Sequence, residues 1–258
     1  MLVFIFALLI GLIVGLLGSG PAILSLALLL YVKSESLATS VLMSLIIGGV
    51  LSFTGGCYKI KNASIKSILL FLPTSLVGSF FGTKYFFLVS EFWKIILLSC
   101  VSFMAAGLIF FKLYKQNKLN KPDFLTPVLN VNNIIFFILF GYCLGFLSSF
   151  LGISAGFLIA PILVGALYLN ISTAIATSLL LSIINSVVAL FFYYQKNGIN
   201  QFLQLDWTFL SWFLILGIIG VVLGIKFSQH ASQRVLKKYL GIFLIFLGFL
   251  NLYQAFLV

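Results

Sequence analysis

The stretch GLIVGLLGSG at residues 11–20 returns in altered form as GYCLGFLSSFLGISAG at residues 141–156. Two further matches follow in the same order: LATS (37–40) with IATS (175–178), and GSFFGTK (78–84) with GVVLGIK (220–226). The offset between partners grows slowly from 130 to 142 residues, as duplicated halves with small insertions would show. In an apolar chain, an internal duplication is typical of membrane transporters, whose pathway is built where two related halves meet.

The composition is that of a protein embedded in lipid. Hydrophobic residues make up 62% of the 258 residues and charged residues only 7%, whereas a soluble domain carries about a quarter charged residues. The apolar runs are long and continuous, which predicts an all-α integral membrane protein rather than a β-barrel. We attribute the net charge of +11 to cytoplasmic loops. No basic cluster of the kind that binds nucleic acid accompanies it.

Each half divides into five apolar segments, most of them close to the roughly 20 residues that cross a bilayer. The predicted segments are 2–17, 20–32, 37–57, 65–83 and 92–111, then 134–151, 155–169, 172–194, 207–225 and 236–257. The second segment of each half is short and follows a glycine cluster, which predicts a short or broken helix there. The predicted organisation is a first membrane repeat (1–111), a polar linker (112–133) and a second membrane repeat (134–258).

The basic residues predict the orientation of these segments. Lysine and arginine are concentrated in three stretches, 58–66, 112–133 and 226–238. If every segment crosses, these stretches lie on one side, which we expect to be cytoplasmic, with both termini outside. Equivalent loops of the two halves exchange their basic residues, which favours inverted over parallel copies. We therefore predict two inverted repeats of five segments in a multi-pass protein of the cytoplasmic membrane.

Ionisable groups are almost absent from the apolar segments. Glu35, Glu91, Asp123 and Asp206 all fall in or beside predicted loops, whereas an intramembrane carboxylate is the usual mark of proton or cation coupling. The sequence also lacks metal-ligand spacing, a nucleophile elbow and an acid–base pair. We therefore predict that the protein is not an enzyme and has neither a metal site nor a cofactor.

Glycines and hydroxyl residues gather instead at the two repeated turns. Glycines that interrupt a helix free backbone N–H groups, and the following helix N-terminus carries a partial positive charge, so such a turn can bind an anion. Close helix packing is the alternative use of small residues, and we favour it for GSFFGTK and GVVLGIK. The predicted substrate-binding residues are Gly18, Ser19, Gly20, Thr39, Ser40, Gly152, Ser154, Gly156, Thr177, Ser178 and Asn185, with helix breaks at Pro21 and Pro161.

At these clusters the chain resembles the sulfite exporter TauE/SafE family of membrane proteins, also called the TSUP group. The motifs that carry the resemblance are GLLGSG (15–20), LATS (37–40), GISAGFLIAP (152–161) and AIATSLL (174–180). The chain departs from the family in reading GISAG where a run of glycines is usual, and its first copy has Pro21 inside the turn and no match for Pro161. The resemblance implies transport of sulfite, an organosulfonate or another sulfur-containing or organic acid across the bacterial cytoplasmic membrane.

The leading hypothesis is a transporter for a small anion that works by alternating access between the two repeats. Its predicted partners are the anionic substrate and the lipid bilayer. Two alternatives stay open at this point: a membrane assembly or biogenesis factor that transports nothing, and a transporter of a neutral small solute. A cation transporter is disfavoured because no carboxylate lies inside the apolar segments.

Overall fold

The structure is a computed structural model that describes residues 2–18, 21–31, 33, 35–86, 89–119, 131–151, 156–165, 169–197 and 200–256. Within those ranges the regular elements are all helical, as the sequence predicts. The helices are α1 (Leu2–Leu17), α2 (Pro21–Tyr31), α3 (Leu37–Lys59), α4 (Ile65–Phe86), α5 (Glu91–Leu119), α6 (Val131–Leu151), α7 (Gly156–Gly165), α8 (Ile171–Asn197), α9 (Asn200–Leu203), α10 (Trp207–His230) and α11 (Gln233–Ala255).

All of these helices except the four-residue α9 correspond, in order, to the predicted apolar segments. The largest difference in a helix end is at the predicted linker, where α5 continues to Leu119 instead of ending at residue 111; α6 begins three residues earlier than predicted, at Val131. The apolar criterion ends a segment at its first lysines, whereas lysine, leucine and glutamine are good helix formers and prolong the helix. Residues 120–130 of the linker lie outside the described residues.

The second helix of each half is short, as predicted. Helices α2 and α7 have 11 and 10 residues. At about 1.5 Å per residue, their lengths are about half of the roughly 30 Å thickness of the hydrocarbon core. Pro21 is the first residue of α2, where its missing N–H costs no hydrogen bond. Pro161 lies inside α7 and is buried. The short helices thus pack within the protein without spanning a bilayer.

The two halves contact each other through their first and fourth helices. The first helix of each half packs against the fourth helix of the other, α1 along α10 and α6 along α4. Glycines make both contacts close: a β-carbon on Gly11, Gly78, Gly145 or Gly220 would overlap the backbone of the partner helix. The packing interpretation of GSFFGTK and GVVLGIK is therefore confirmed.

The order of the glycine contacts gives the relative directions of the helices. Gly78 lies against Tyr142 and Gly82 against Phe146, so α4 and α6 run parallel. The corresponding contacts show that α1 and α10 are also parallel. Helices α3 and α8 run antiparallel, and so do α5 and α11. Equivalent helices of two inverted copies run in opposite directions, and the third and fifth helices of the two halves do so.

In the described part of the chain, five helices are long and apolar enough to cross a membrane by length and composition: α3, α4, α8, α10 and α11. Shorter apolar stretches occur in α1, α5 and α6, at Val3–Leu17, Ile95–Phe111 and Phe137–Phe150. Large side chains such as Trp93 and Phe227 are exposed on the outside of the bundle. Such a surface is stable against hydrocarbon, and it fits a multi-pass membrane protein.

Candidate functional site

Helices α3 and α8 carry a buried polar contact between the two halves. A β-carbon on Gly49 of α3 would lie 3.4 Å from Cβ of Ser186 on α8, so the helices touch near their middles. We call this contact the α3–α8 seam; the buried polar residues of its two helices include Ser40, Ser52, Ser178, Asn185 and Ser186, all at most 2% exposed. Three of them belong to the predicted site: Ser40, Ser178 and Asn185.

One end of the seam holds the repeated turn of the first half. Gly18 has φ of 60°, and its N–H donates to the Val14 carbonyl at 2.8 Å, which ends α1 with a left-handed residue. The Gly18 carbonyl accepts a hydrogen bond from Ser178 Oγ at 3.0 Å. A β-carbon on Gly18 would lie 2.9 Å from Cα of Ile175. The turn of one half is therefore docked on the hydroxyl motif of the other half.

A buried lysine lies at the same end. Lys59, the last residue of α3, is only 7% exposed, and its Nζ donates to the Gly15 carbonyl at 3.2 Å and to Ser228 Oγ at 2.9 Å. Both partners are uncharged. Among the described side chains, no carboxylate oxygen lies within 4.0 Å of Lys59 Nζ. The charge is therefore buried without an ion pair in the described part of the chain.

Sequence reasoning missed Lys59, because it ended the third segment at residue 57 and assigned this lysine to a basic loop. The helix in fact continues to Lys59, which turns the side chain inward against α1 and α10. The signal that was available is a lysine directly after an apolar run. We call the group of Gly18, Ser178 and Lys59 the Lys59 end of the seam.

Several buried hydroxyls on the two helices of the seam have no hydrogen-bond partner among the described residues. Serines in these helices commonly donate to a carbonyl one turn earlier, as Ser44 does to Val41 at 2.9 Å and Ser182 to Ser178 at 2.7 Å. Within the described ranges, the buried hydroxyls that lack a hydrogen bond are those of Ser40, Ser52, Ser149 and Ser186. An unsatisfied buried hydroxyl costs about 1–3 kcal/mol, so we expect a water or a ligand to bind there.

The remaining hydroxyl and amide side chains of the predicted site already have bonds. Ser64 N–H donates to Thr177 Oγ1 at 3.0 Å, and Ser75 Oγ donates to Asn185 Oδ1 at 3.4 Å. Thr39 belongs to the cap of α3, where its N–H donates to Ser36 Oγ at 3.3 Å. Thr39 thus belongs to the first turn of α3, whereas Thr177 ties the residue before α4 to α8.

The structure separates the predicted residues along the seam. Gly55 of α3 lies level with Leu179 of α8. Gly55 comes fifteen positions after Ser40 in the same helix, which is roughly 22 Å at about 1.5 Å per residue. Ser40 and Ser178 are therefore at opposite ends. Gly156 begins α7, while Ser19, Gly20, Gly152 and Ser154 lie outside the described residues. Their joint role in one anion site stays a prediction.

The other end of the seam carries an ion cluster that joins the halves. Lys33 Nζ lies 2.9 Å from Asp206 Oδ2, 3.2 Å from Glu35 Oε1 and 3.9 Å from the ring centroid of Phe209. Lys33 and Glu35 belong to the first half, and Asp206 and Phe209 to the second. We call this group the Lys33 end of the seam. It lies beside the first turn of α3, which contains Ser40.

Asp206 also caps α10. Its Oδ1 accepts the Phe209 N–H at 3.0 Å, and this bond, followed by the bond from Lys33, holds the pKa of the Asp206 carboxyl below its ordinary value of 3.8. A carboxyl whose pKa is lowered by folding stabilises the protein above its unfolded pKa, and the stabilisation is lost as the pH falls through the folded pKa.

We expect Asp206→Asn to remove this part of the pH dependence. The melting temperature of the wild type should decline as the pH falls below 3.8. In the variant, the part of this decline that is due to protonation of Asp206 should be missing. Near neutral pH the difference should be less than about 1 kcal/mol, because the ion pair is exposed and asparagine still caps the helix. Thermal unfolding of both proteins in detergent across this pH range measures the effect. Identical pH profiles would contradict it.

Comparisons with known proteins place the chain in a family. The profile of the family described as "Sulfite exporter TauE/SafE" matches residues 3–251. A protein of Methanocaldococcus jannaschii named as a "probable membrane transporter protein" is 32% identical over 120 residues. That alignment spans 42% of this chain and 40% of the relative. No solved structure matches the chain. Because the family profile covers nearly the whole sequence, the chain belongs to the sulfite exporter TauE/SafE family.

Proposed function

We propose that the protein is a membrane transporter that carries a small anion, such as sulfite or an organosulfonate, by alternating access between its two halves. The observation that carries the proposal is the Lys59 end of the seam. There the Gly18 turn of one half meets Ser178 of the other, beside a buried cation without an ion pair among the described residues. The family and the name of the archaeal relative support the transport part of the proposal.

The charges favour an anion over a cation or a neutral solute. The two acidic side chains that the structure describes, Glu35 and Asp206, both pair with Lys33 at the far end of the seam. A buried charge is costly to leave without a counterion, and a transported anion would supply one for Lys59. Hydroxyl groups would serve a neutral solute equally well, but such a solute would leave the lysine uncompensated.

The helix directions support inverted repeats. Two inverted copies can exchange conformations, so that opening at one end of the pathway becomes opening at the other. The two ends of the seam differ in the way such an exchange requires. Ser178 donates to the Gly18 carbonyl, whereas its counterpart in the other half, Ser40, has no partner among the described residues. Transport would make and break these two contacts alternately.

The basic residues support a cytoplasmic position for the Lys59 end. The bond from Lys59 to Ser228 brings the stretches 58–66 and 226–238 to that end. Helix α11 begins there, and the antiparallel α5, which carries the lysines of residues 112–118, ends there. The positive-inside rule then puts both termini outside.

Flux measurements test the proposal. Purified protein in liposomes should take up radiolabelled sulfite, under alkaline conditions that keep it ionised, faster than empty liposomes do. We expect the double variant Ser40→Ala with Ser178→Ala to lower the rate at least about tenfold, as the loss of a hydrogen bond near a charged ligand would. Purification yield should stay unchanged.

The control is Ser99→Ala, which removes a buried hydroxyl of α5 that donates to the Ile95 carbonyl at 2.9 Å and should transport as the wild type does. Absence of uptake across sulfite, sulfate and organosulfonates would rule out the anion. If the double variant takes up sulfite as fast as the wild type does, Ser40 and Ser178 serve only helix packing.

A further inference from the structure

Ser52 and Ser186 lie on the facing surfaces of α3 and α8, about one helical turn apart along the seam. Gly49 and Gly56 of α3 both contact α8, at Ser186 and Ile183 respectively. Ser52 stands three residues after Gly49 and four before Gly56, and such spacings lie on one face of a helix. Ser52 is therefore on the surface of α3 that is turned toward α8, and Ser186 is on the facing surface of α8.

Both serines lie near the middle of their helices. The midpoint of α3 is residue 48 and that of α8 is residue 184. Ser52 is therefore roughly 6 Å, and Ser186 roughly 3 Å, from the midpoint along the helix axis. Substrate sites of transporters built from repeats lie close to the middle of the bilayer, where the repeats meet. The two serines occupy that position.

Their hydroxyls are not used by the fold. Both residues are 0% exposed, and neither hydroxyl has a hydrogen-bond partner in the described part of the chain. On the same helices, Ser44 and Ser182 donate to carbonyls of their own helix. Ser52 and Ser186 thus carry free hydrogen-bonding groups in a place that is closed to solvent in this structure.

The chemistry of the surroundings selects the ligand. Hydroxyl groups donate readily to oxyanions, and the described acidic side chains lie at the Lys33 end, away from these serines. We propose that Ser52 and Ser186 form a central site that holds a small sulfur oxyanion or sulfonate in transit, an inference that rests on the proposed transport function.

The concentration dependence of sulfite uptake tests this site. The double variant Ser52→Ala with Ser186→Ala should raise KM at least about tenfold, as expected for lost hydrogen bonds to a charged ligand. Its melting temperature should be no lower than that of the wild type, because neither hydroxyl has a hydrogen-bond partner among the residues that the structure describes. Ser44→Ala, on the same helix, should keep the wild-type KM. An unchanged KM in the double variant, beside active wild-type protein, would overturn the site and leave the transport function standing.

A second readout does not depend on transport. In a background without Cys57, Cys100 and Cys143, single cysteines at Ser52 and Ser186 should react with 2-sulfonatoethyl methanethiosulfonate, itself a small sulfonate. A cysteine at Ser99, buried on α5, should not react. Failure of both seam cysteines to react would overturn the site, even if the wild type proved to transport nothing.

Discussion

Gly145→Ala is expected to prevent most of the protein from folding. Gly145 lies where α6 crosses α4, and a β-carbon there would overlap the Ser75 carbonyl oxygen and lie 2.6 Å from Ser75 Cα. These are backbone atoms, which cannot rotate aside as a side chain can. Over-packing usually costs about 1–3 kcal/mol, and we expect at least the upper part of that range here. The change would also displace the bond of 3.2 Å from Ser79 Oγ to the Gly145 carbonyl.

The matched control is Gly107→Ala on α5. Among the described residues, no atom would lie within 4 Å of a β-carbon at that position. Alanine is also the better helix former by up to about 1 kcal/mol, so this variant should be as stable as the wild type or more so. Size-exclusion chromatography and thermal unfolding in detergent compare the two. A monodisperse Gly145→Ala protein with the wild-type melting temperature would contradict the close contact of α6 with α4.

The repeat makes the same prediction at the other crossing. A β-carbon on Gly15 of α1 would overlap the Val221 carbonyl oxygen of α10, and Gly15 is the counterpart of Gly145. The sequence alone predicts both crossings in general terms, because glycines four residues apart permit close approach of membrane helices. It does not say which helices approach. That depends on the packing of the first helix of each half against the fourth helix of the other half, which no local motif predicts.

Hydropathy predicts the helices well and their ends less well. It measures where the chain prefers lipid, so it stops at the first lysines of residues 112–119, although the helix continues through them. The same criterion placed Lys59 in a loop. A helix that ends beside another helix can bury a lysine against a carbonyl in the last turn of that helix, here the carbonyl of Gly15. Only the packing reveals this contact.

The residue types of the site could be predicted from the sequence, but not which turn contacts which hydroxyl motif. The motifs GLLGSG and LATS are close in sequence, which suggests that a turn works with the hydroxyls of its own half. Gly18 instead meets Ser178 of the other half. Ser52 and Ser186 carry no motif at all, since small residues in membrane helices usually serve packing. Only the absence of their hydrogen bonds sets them apart.

Lys59→Gln is expected to lower the rate of anion transport most strongly among single variants that fold. Glutamine keeps a donor for the Gly15 carbonyl and for Ser228, so it removes the charge and retains a hydrogen bond. For an anion about 8 Å away, at an effective dielectric constant of about 20, the lost attraction is about 2 kcal/mol. That corresponds to roughly a thirtyfold lower kcat/KM. Lys59→Arg, which keeps the charge, should retain most of the activity.

Initial rates of sulfite uptake into proteoliposomes, at equal protein content, measure this effect. Lys61→Gln is the control, because Lys61 is exposed in the turn that follows α3, and it should transport as the wild type does. If Lys59→Gln and Lys59→Arg lose activity equally and also melt at lower temperature, Lys59 is a structural tie between α1, α3 and α10. If Lys59→Gln transports normally, the charge plays no part. Loss of transport in Lys59→Gln alone, with an unchanged melting temperature, assigns the charge to the anion.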